Sequence, residues 1–346
     1  MKKKDNIFAN LEKIKKDCFL KECFHQNESC SDKIIKAHSI QNNRILNKIS
    51  ENGEVLMIGG GSDNSSNFKT SMQRKGRKIA TTFTGFCGRH DNDLFIPIEE
   101  KNYQLGNKEQ EFLFAYRALA KEYHTKMTVG DMYRKMRQYI MAGEYHRLSN
   151  IFDENNQPDI DHIQYMAKAV TDTLIGHEDA EARLQLFRER MNKDLDNANF
   201  NEIVTEVIEL DEEYHIAASS ITFIERDLDN KVVNDLADLN AQLAPLFVTI
   251  FPQDGKTYIL LSYFERNKRK YKFIREQILT QSIKMQKVII SNLIVAYFEN
   301  WAISPIKWNK LGTKMQSKIH RYYVKTIAAG DGKRSLLYDK NMNIFL

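Results

Sequence analysis

The stretch Thr82-Phe83-Thr84-Gly85-Phe86-Cys87-Gly88-Arg89-His90-Asp91 decides how this chain is read. A β-prone run enters a Gly-Phe-Cys-Gly turn, and the Cys87-x2-His90 pair stands where a strand would pass into a short helix. Upstream lies a second pair, Cys23-x6-Cys30. Tetrahedral zinc takes four nitrogen or sulfur ligands, commonly two from a knuckle and two from a turn entering a helix. Cys23, Cys30, Cys87 and His90 meet that requirement with a predicted hairpin between the pairs, which is the order of a treble clef. Cys18 lies outside the pattern and could replace Cys23. The competing reading is four unrelated cysteines packed as small hydrophobes. A module of about 100 residues with a polar loop has little core, so metal binding would supply much of its folding free energy.

All four cysteines fall in the first quarter of 346 residues. In a reducing compartment, clustered cysteines read as metal ligands before disulfides. The chain is 42% hydrophobic and 28% charged with mean hydropathy −0.53, which excludes global disorder. No apolar run reaches the ~18 residues of a membrane span, and MKKKDNIF is followed by no apolar signal core. Both observations point to a cytoplasmic protein with no membrane partner. Val55–Ile58 and Lys78–Phe83 read as the two hairpin strands, with residues 59–67 (GGGSDNSSN) as a loop and residues 39–49 as a helix.

From Lys108 the pattern turns helical, with Phe112, Tyr116, Leu119 and Tyr123 on one face. Further helices are expected over residues 129–151, 159–174 and 178–193. Residues 203–210, 214–225, 246–251 and 257–263 are β-prone and predict a small antiparallel sheet, and helices return over 267–300 and 305–328. The expected class is therefore α+β. Residues 1–100 form a treble-clef-like zinc module, 101–200 a helical region, and 201–346 an α+β region with the sheet and C-terminal helices.

The segments Ala37-His38-Ser39-Ile40-Gln41 and Phe83-Thr84-Gly85-Phe86-Cys87-Gly88-Arg89-His90-Asp91, with the two Cys/His pairs, resemble the zinc-knuckle HNH (His-Me finger) endonucleases. The likeness covers residues 18–100. It extends to bacterial proteins carrying a motif of the form AHSIQ…FxGFCxxHDxxLFxPIE. By position, the resemblance implies that His38 is the general base and that Asp91 binds a catalytic Mg²⁺ or Mn²⁺. It also implies metal-dependent phosphodiester hydrolysis, with a role in bacterial antiphage defence. Histidine titrates near neutrality without tuning, and an oxygen ligand suits a hard cation. The sequence departs from the nucleases at Ala37, where they carry an acidic residue, and lacks their orienting asparagine. The alternative is a non-catalytic zinc-containing module that binds nucleic acid or protein within a sensor or assembly protein.

Net charge is +5, so the distribution of charge matters more than its sum. No acid falls between Asp63 and Asp91, a span that carries Lys69, Arg74, Lys75, Arg77 and Lys78. These residues can neutralise phosphates without reading sequence. A second stripe, including Lys310, Lys314 and Arg321, recurs at spacings of three and four on a predicted helix. Both suit nucleic acid, DNA ahead of RNA, although solvated faces look alike. An acidic middle at residues 202–213 segregates the charge, which also suits docking of a second copy or a partner protein.

Overall fold

The computed structural model describes residues 13–62, 68–148, 160–238, 240–327 and 334–346. β1 (Ile34–His38) pairs antiparallel with β4 (Thr82–Cys87), which runs directly into α1 (Gly88–Glu99). Between β1 and β4 the chain makes β2 (Glu54–Ser62) and β3 (Phe68–Gly76). α2 (Lys108–Met141) and α3 (Ile160–Asp196) follow, then β5 (Ile203–Leu210), β6 (Ile216–Thr222), β7 (Leu246–Gln253) and β8 (Lys256–Phe264). The chain ends with α4 (Lys268–Phe273), α5 (Ile283–Tyr297), β9 (Trp301–Ile303), α6 (Pro305–Lys310) and α7 (Gly312–Ile327). The α+β class expected from the sequence holds, and so does the antiparallel sheet.

That sheet has seven strands in the order β3-β2-β9-β6-β7-β8-β5. Alternate residues leave a strand on opposite faces, and here both faces are covered. Val55, Met57, Phe247, Leu260 and Phe264 enter the core shared with α2. Leu56, Ile58, Val248, Ile250, Ile259 and Leu261 enter the core shared with α5 and α7. This two-sided burial leaves β6 buried at every position and β7 at every position but its last.

Several elements differ from the expectation. The hairpin returns over β3, with Glu54 opposite Gly76 and Ser62 opposite Phe68. Lys78 therefore sits in a turn and the paired strand β4 begins at Thr82. Three of the glycines expected in the loop extend β2 instead. At Gly59 the missing side chain leaves room for Gln73, whose Cδ would lie 2.5 Å from any Cβ placed there. The hairpin does not stay with β1 and β4. β2 pairs with β9, Leu56 opposite Ile303, so one sheet links residues within 1–100 to residues within 201–346.

The helices expected from 108 and from 129 are one element, α2, with Asn107 capping its N-terminus through Gln110 N–H at 3.1 Å. Likewise those at 159 and 178 merge into α3. The basic C-terminal helix is instead divided. Leu311 lies between α6 and α7, and α7 opens on Gly312 at φ +73°, so Lys310 and Lys314 do not share one continuous helix.

Candidate metal centre

Cys87 closes β4 and is the N-cap of α1, with extended φ and ψ of −76° and 160°. Its Sγ accepts from the backbone N–H of His90 at 3.4 Å. The Cys-x2-His spacing therefore places a capping thiol and an imidazole on the same side of one helical turn. The other pair comes from the segment before β1. Asn27 folds over its own backbone, accepting from Ser29 N–H at 2.9 Å, and this turn delivers Cys30.

The ligand atoms of Cys23, Cys30, Cys87 and His90 all lie within 4.8 Å of one another and can hold a metal ion. His90 Nδ1 faces the sulfurs of Cys23, Cys30 and Cys87 at 3.2, 3.5 and 3.5 Å. Its other nitrogen fixes the tautomer. Ser29 Oγ donates to Asn27 Oδ1 at 2.7 Å, so at 2.9 Å it accepts from His90 Nε2–H. Nδ1 thus keeps its lone pair toward the sulfurs, which is the state a ligand needs.

The electrostatics divide the thiols. Burial pushes Cys23 up to about 12, and the adjacent Cys87 and Cys30 sulfurs add to the shift. Burial also acts upward on Cys87, but hydrogen bonds from His90 and Ser31 outweigh it and bring that thiol to about 7. Burial, followed by the neighbouring His25 and Arg89, holds His90 below its usual value and keeps it neutral. A bound cation would favour thiolate at all three cysteines. Cys18, the possible substitute for Cys23, stands apart against the Met132–Met136 cluster.

His38 ends β1, and its Nδ1–H donates to the Ala80 carbonyl at 3.1 Å, leaving Nε2 as the free nitrogen. Burial lowers its pKa. Asp91 lies in the first turn of α1, where burial pushes its carboxyl up to about 6 against the Arg117 guanidinium. One of its oxygens, Oδ1, is buried without a hydrogen-bond partner. His38 and Asp91 share charged neighbours, Arg117 and Glu99, which pair with each other at 2.6 Å. Among the described residues, no second group of three His, Cys, Asp or Glu side chains converges as the Cys23 group does.

The residues expected to bind nucleic acid separate. Arg74 pairs with Glu51 and Glu54 at 3.3 and 3.2 Å, and Arg77 donates to the Asn42 side chain at 2.9 Å. Lys78, Lys310, Lys314 and Arg321 are exposed. Lys75 lines a cavity. Lys69 belongs to β3, but its side chain lies outside the described residues. No helix among the described residues is long and apolar enough to cross a membrane.

Sequence reasoning missed the groups that brace these motifs. Arg188 of α3 donates to the carbonyls of Phe24 and Cys23 at 2.8 and 2.9 Å and pairs with Glu22 at 2.6 Å. A partner 165 residues away leaves no local signal. Gln41 donates to the Glu99 carbonyl at 2.6 Å, and Ser39 Oγ donates to that of Thr81 at 3.0 Å. Those two contacts knit the Ala37–Gln41 motif to the end of α1 and to the turn before β4. Set against protein-family models, curated proteins and solved structures, the chain matches none of them.

Proposed function

We propose that the Cys23, Cys30, Cys87 and His90 cluster holds a structural zinc ion, and that the chain is a His38-dependent phosphodiester hydrolase of the HNH kind acting on nucleic acid. The donor set supports zinc: three sulfurs and one neutral imidazole suit that ion better than a hard cation. With zinc–sulfur bonds of about 2.3 Å, tetrahedral ligands stand roughly 3.5–3.8 Å apart, close to the separations around His90 Nδ1.

The single observation that carries the hydrolase reading is the position of His38. It ends a strand antiparallel to the one that enters α1, and its Nδ1–H is tied to a backbone carbonyl. Nε2 is thereby left as an oriented base for water, neutral at pH 7 because burial lowers its pKa. Asp91, with its unpartnered buried oxygen, is the residue that would hold Mg²⁺ or Mn²⁺. Such an ion supplies charge neutralisation at the scissile phosphate. Exposed Lys78, Lys310, Lys314 and Arg321 supply backbone contacts.

The test is cleavage of single- and double-stranded DNA and of RNA with added Mg²⁺ or Mn²⁺. His38→Ala is expected to abolish turnover while zinc content and melting temperature stay near those of the wild type. Absence of cleavage by the wild type on every substrate would favour the second reading, a non-catalytic zinc module. The observation behind that reading is that no second set of three ligands gathers among the described residues.

A further inference from the structure

A cavity of about 560 Å³ lies between α2, β4, β6 and the residues after α5. None of Cys23, Cys30, Cys87, His90, His38 and Asp91 lines it. Six Lys and Arg side chains border it against two Glu. Lys126 shares Glu122 at 3.5 Å, and Arg334 has Glu225 at 3.4 Å. Among the described residues, no carboxylate pairs with Lys36, Lys75 or Lys121. Burial brings the Lys121 ammonium down to about 8; the Glu122 and Glu299 carboxylates oppose this shift, while the Lys15 and Lys75 charges act with it. Glu122 and Glu299 offset only part of the six cations that border the concavity, and an excess of like charge is unfavourable there, so a bound polyanion would relieve it.

The rest of the lining narrows the ligand. Ser220 and Thr222 supply hydroxyls, while Phe83 and Phe223 supply aromatic surface. The volume falls within the ~300–1,000 Å³ of small-molecule sites. Lysine ammonium groups serve as point-charge phosphate binders. We propose that this cavity binds a phosphorylated small molecule of nucleoside-polyphosphate size, with Lys75 and Lys121 as its phosphate ligands. Lys75 then faces a ligand in a half-open cavity rather than a nucleic-acid backbone.

The proposal is independent of the hydrolase reading, because the two sites share no residue. It is tested by calorimetric titration of the full chain with ATP, GTP and inorganic tripolyphosphate at low ionic strength. Lys75→Gln and Lys121→Gln are expected each to weaken binding about tenfold or more. The Lys284→Gln/Lys340→Gln variant, which alters exposed cations elsewhere, is expected to bind like the wild type. Lys75 lies on a strand and Lys121 on a buried helix, so one variant serves if the other misfolds. Tighter binding of ATP or GTP than of tripolyphosphate assigns a nucleotide; equal binding assigns inorganic polyphosphate of the same chemistry. No binding by any of the three at about 1 mM, or equal weakening in the Lys284/Lys340 variant, overturns the proposal.

Discussion

Ser29 shows how much a single hydroxyl can govern. Its hydrogen bond at 2.9 Å fixes which nitrogen of His90 carries the proton, and so which one meets the sulfurs. Groups in this position commonly change metal affinity by about 10–100-fold when removed. Ser29→Ala should therefore weaken metal binding by that order in competition with a chromophoric chelator, while Cys18→Ser should leave it unchanged. His124 gives a second residue-scale outcome. Buried in contact with Phe83, it donates through Nε2 to the Leu20 carbonyl at 2.9 Å, and burial lowers its pKa to about 4. Between about pH 6.5 and 4 the unfolded chain binds this proton and the folded chain does not, so stability falls with acidification. A shift of that size corresponds to at most about 3 kcal/mol. Urea denaturation at pH 7, 5.5 and 4 should record the loss, and His124→Gln should flatten that part of the profile.

Among the elements, β9 has a structural role out of proportion to its three residues. It joins β2 on one side to β6 on the other, and Trp301 is fully buried in the core. Trp301→Ala should cost about 3–5 kcal/mol by denaturant titration, whereas Lys310→Gln should stay within about 0.5 kcal/mol. Local pattern made the four strands from Ile203 to Phe264 legible, because turn residues separate β-branched runs. It did not reveal β9, since three residues carry no period, nor the extension of β2 through its glycines. The turn at Lys78 is hidden by its composition. Lys78-Ile79-Ala80-Thr81 has strand-like composition, yet Ile79 and Ala80 N–H turn back to the Gly76 carbonyl, Thr81 adopts φ +61°, and Ser39 and His38 hold the turn through the Thr81 and Ala80 carbonyls.

At the scale of the molecule, the candidate centre was legible because its chemistry is periodic in sequence: two short pairs of ligand-type residues, each closed by a local turn. Its supports were not, because Arg188 and Arg117 lie on helices distant in sequence and act through backbone carbonyls or aromatic faces. The Cys23, Cys30, Cys87 and His90 cluster joins the segment before β1 to the start of α1, and Arg188 ties that same segment to α3. Losing the metal should therefore loosen the first strands and the His38 turn together. Metal content measures this directly. Protein purified without added metal should contain one zinc per chain by elemental analysis; Cys87→Ser should lose it along with thermal stability, while His38→Ala should retain it. A wild-type chain that is fully folded and free of metal would contradict the account.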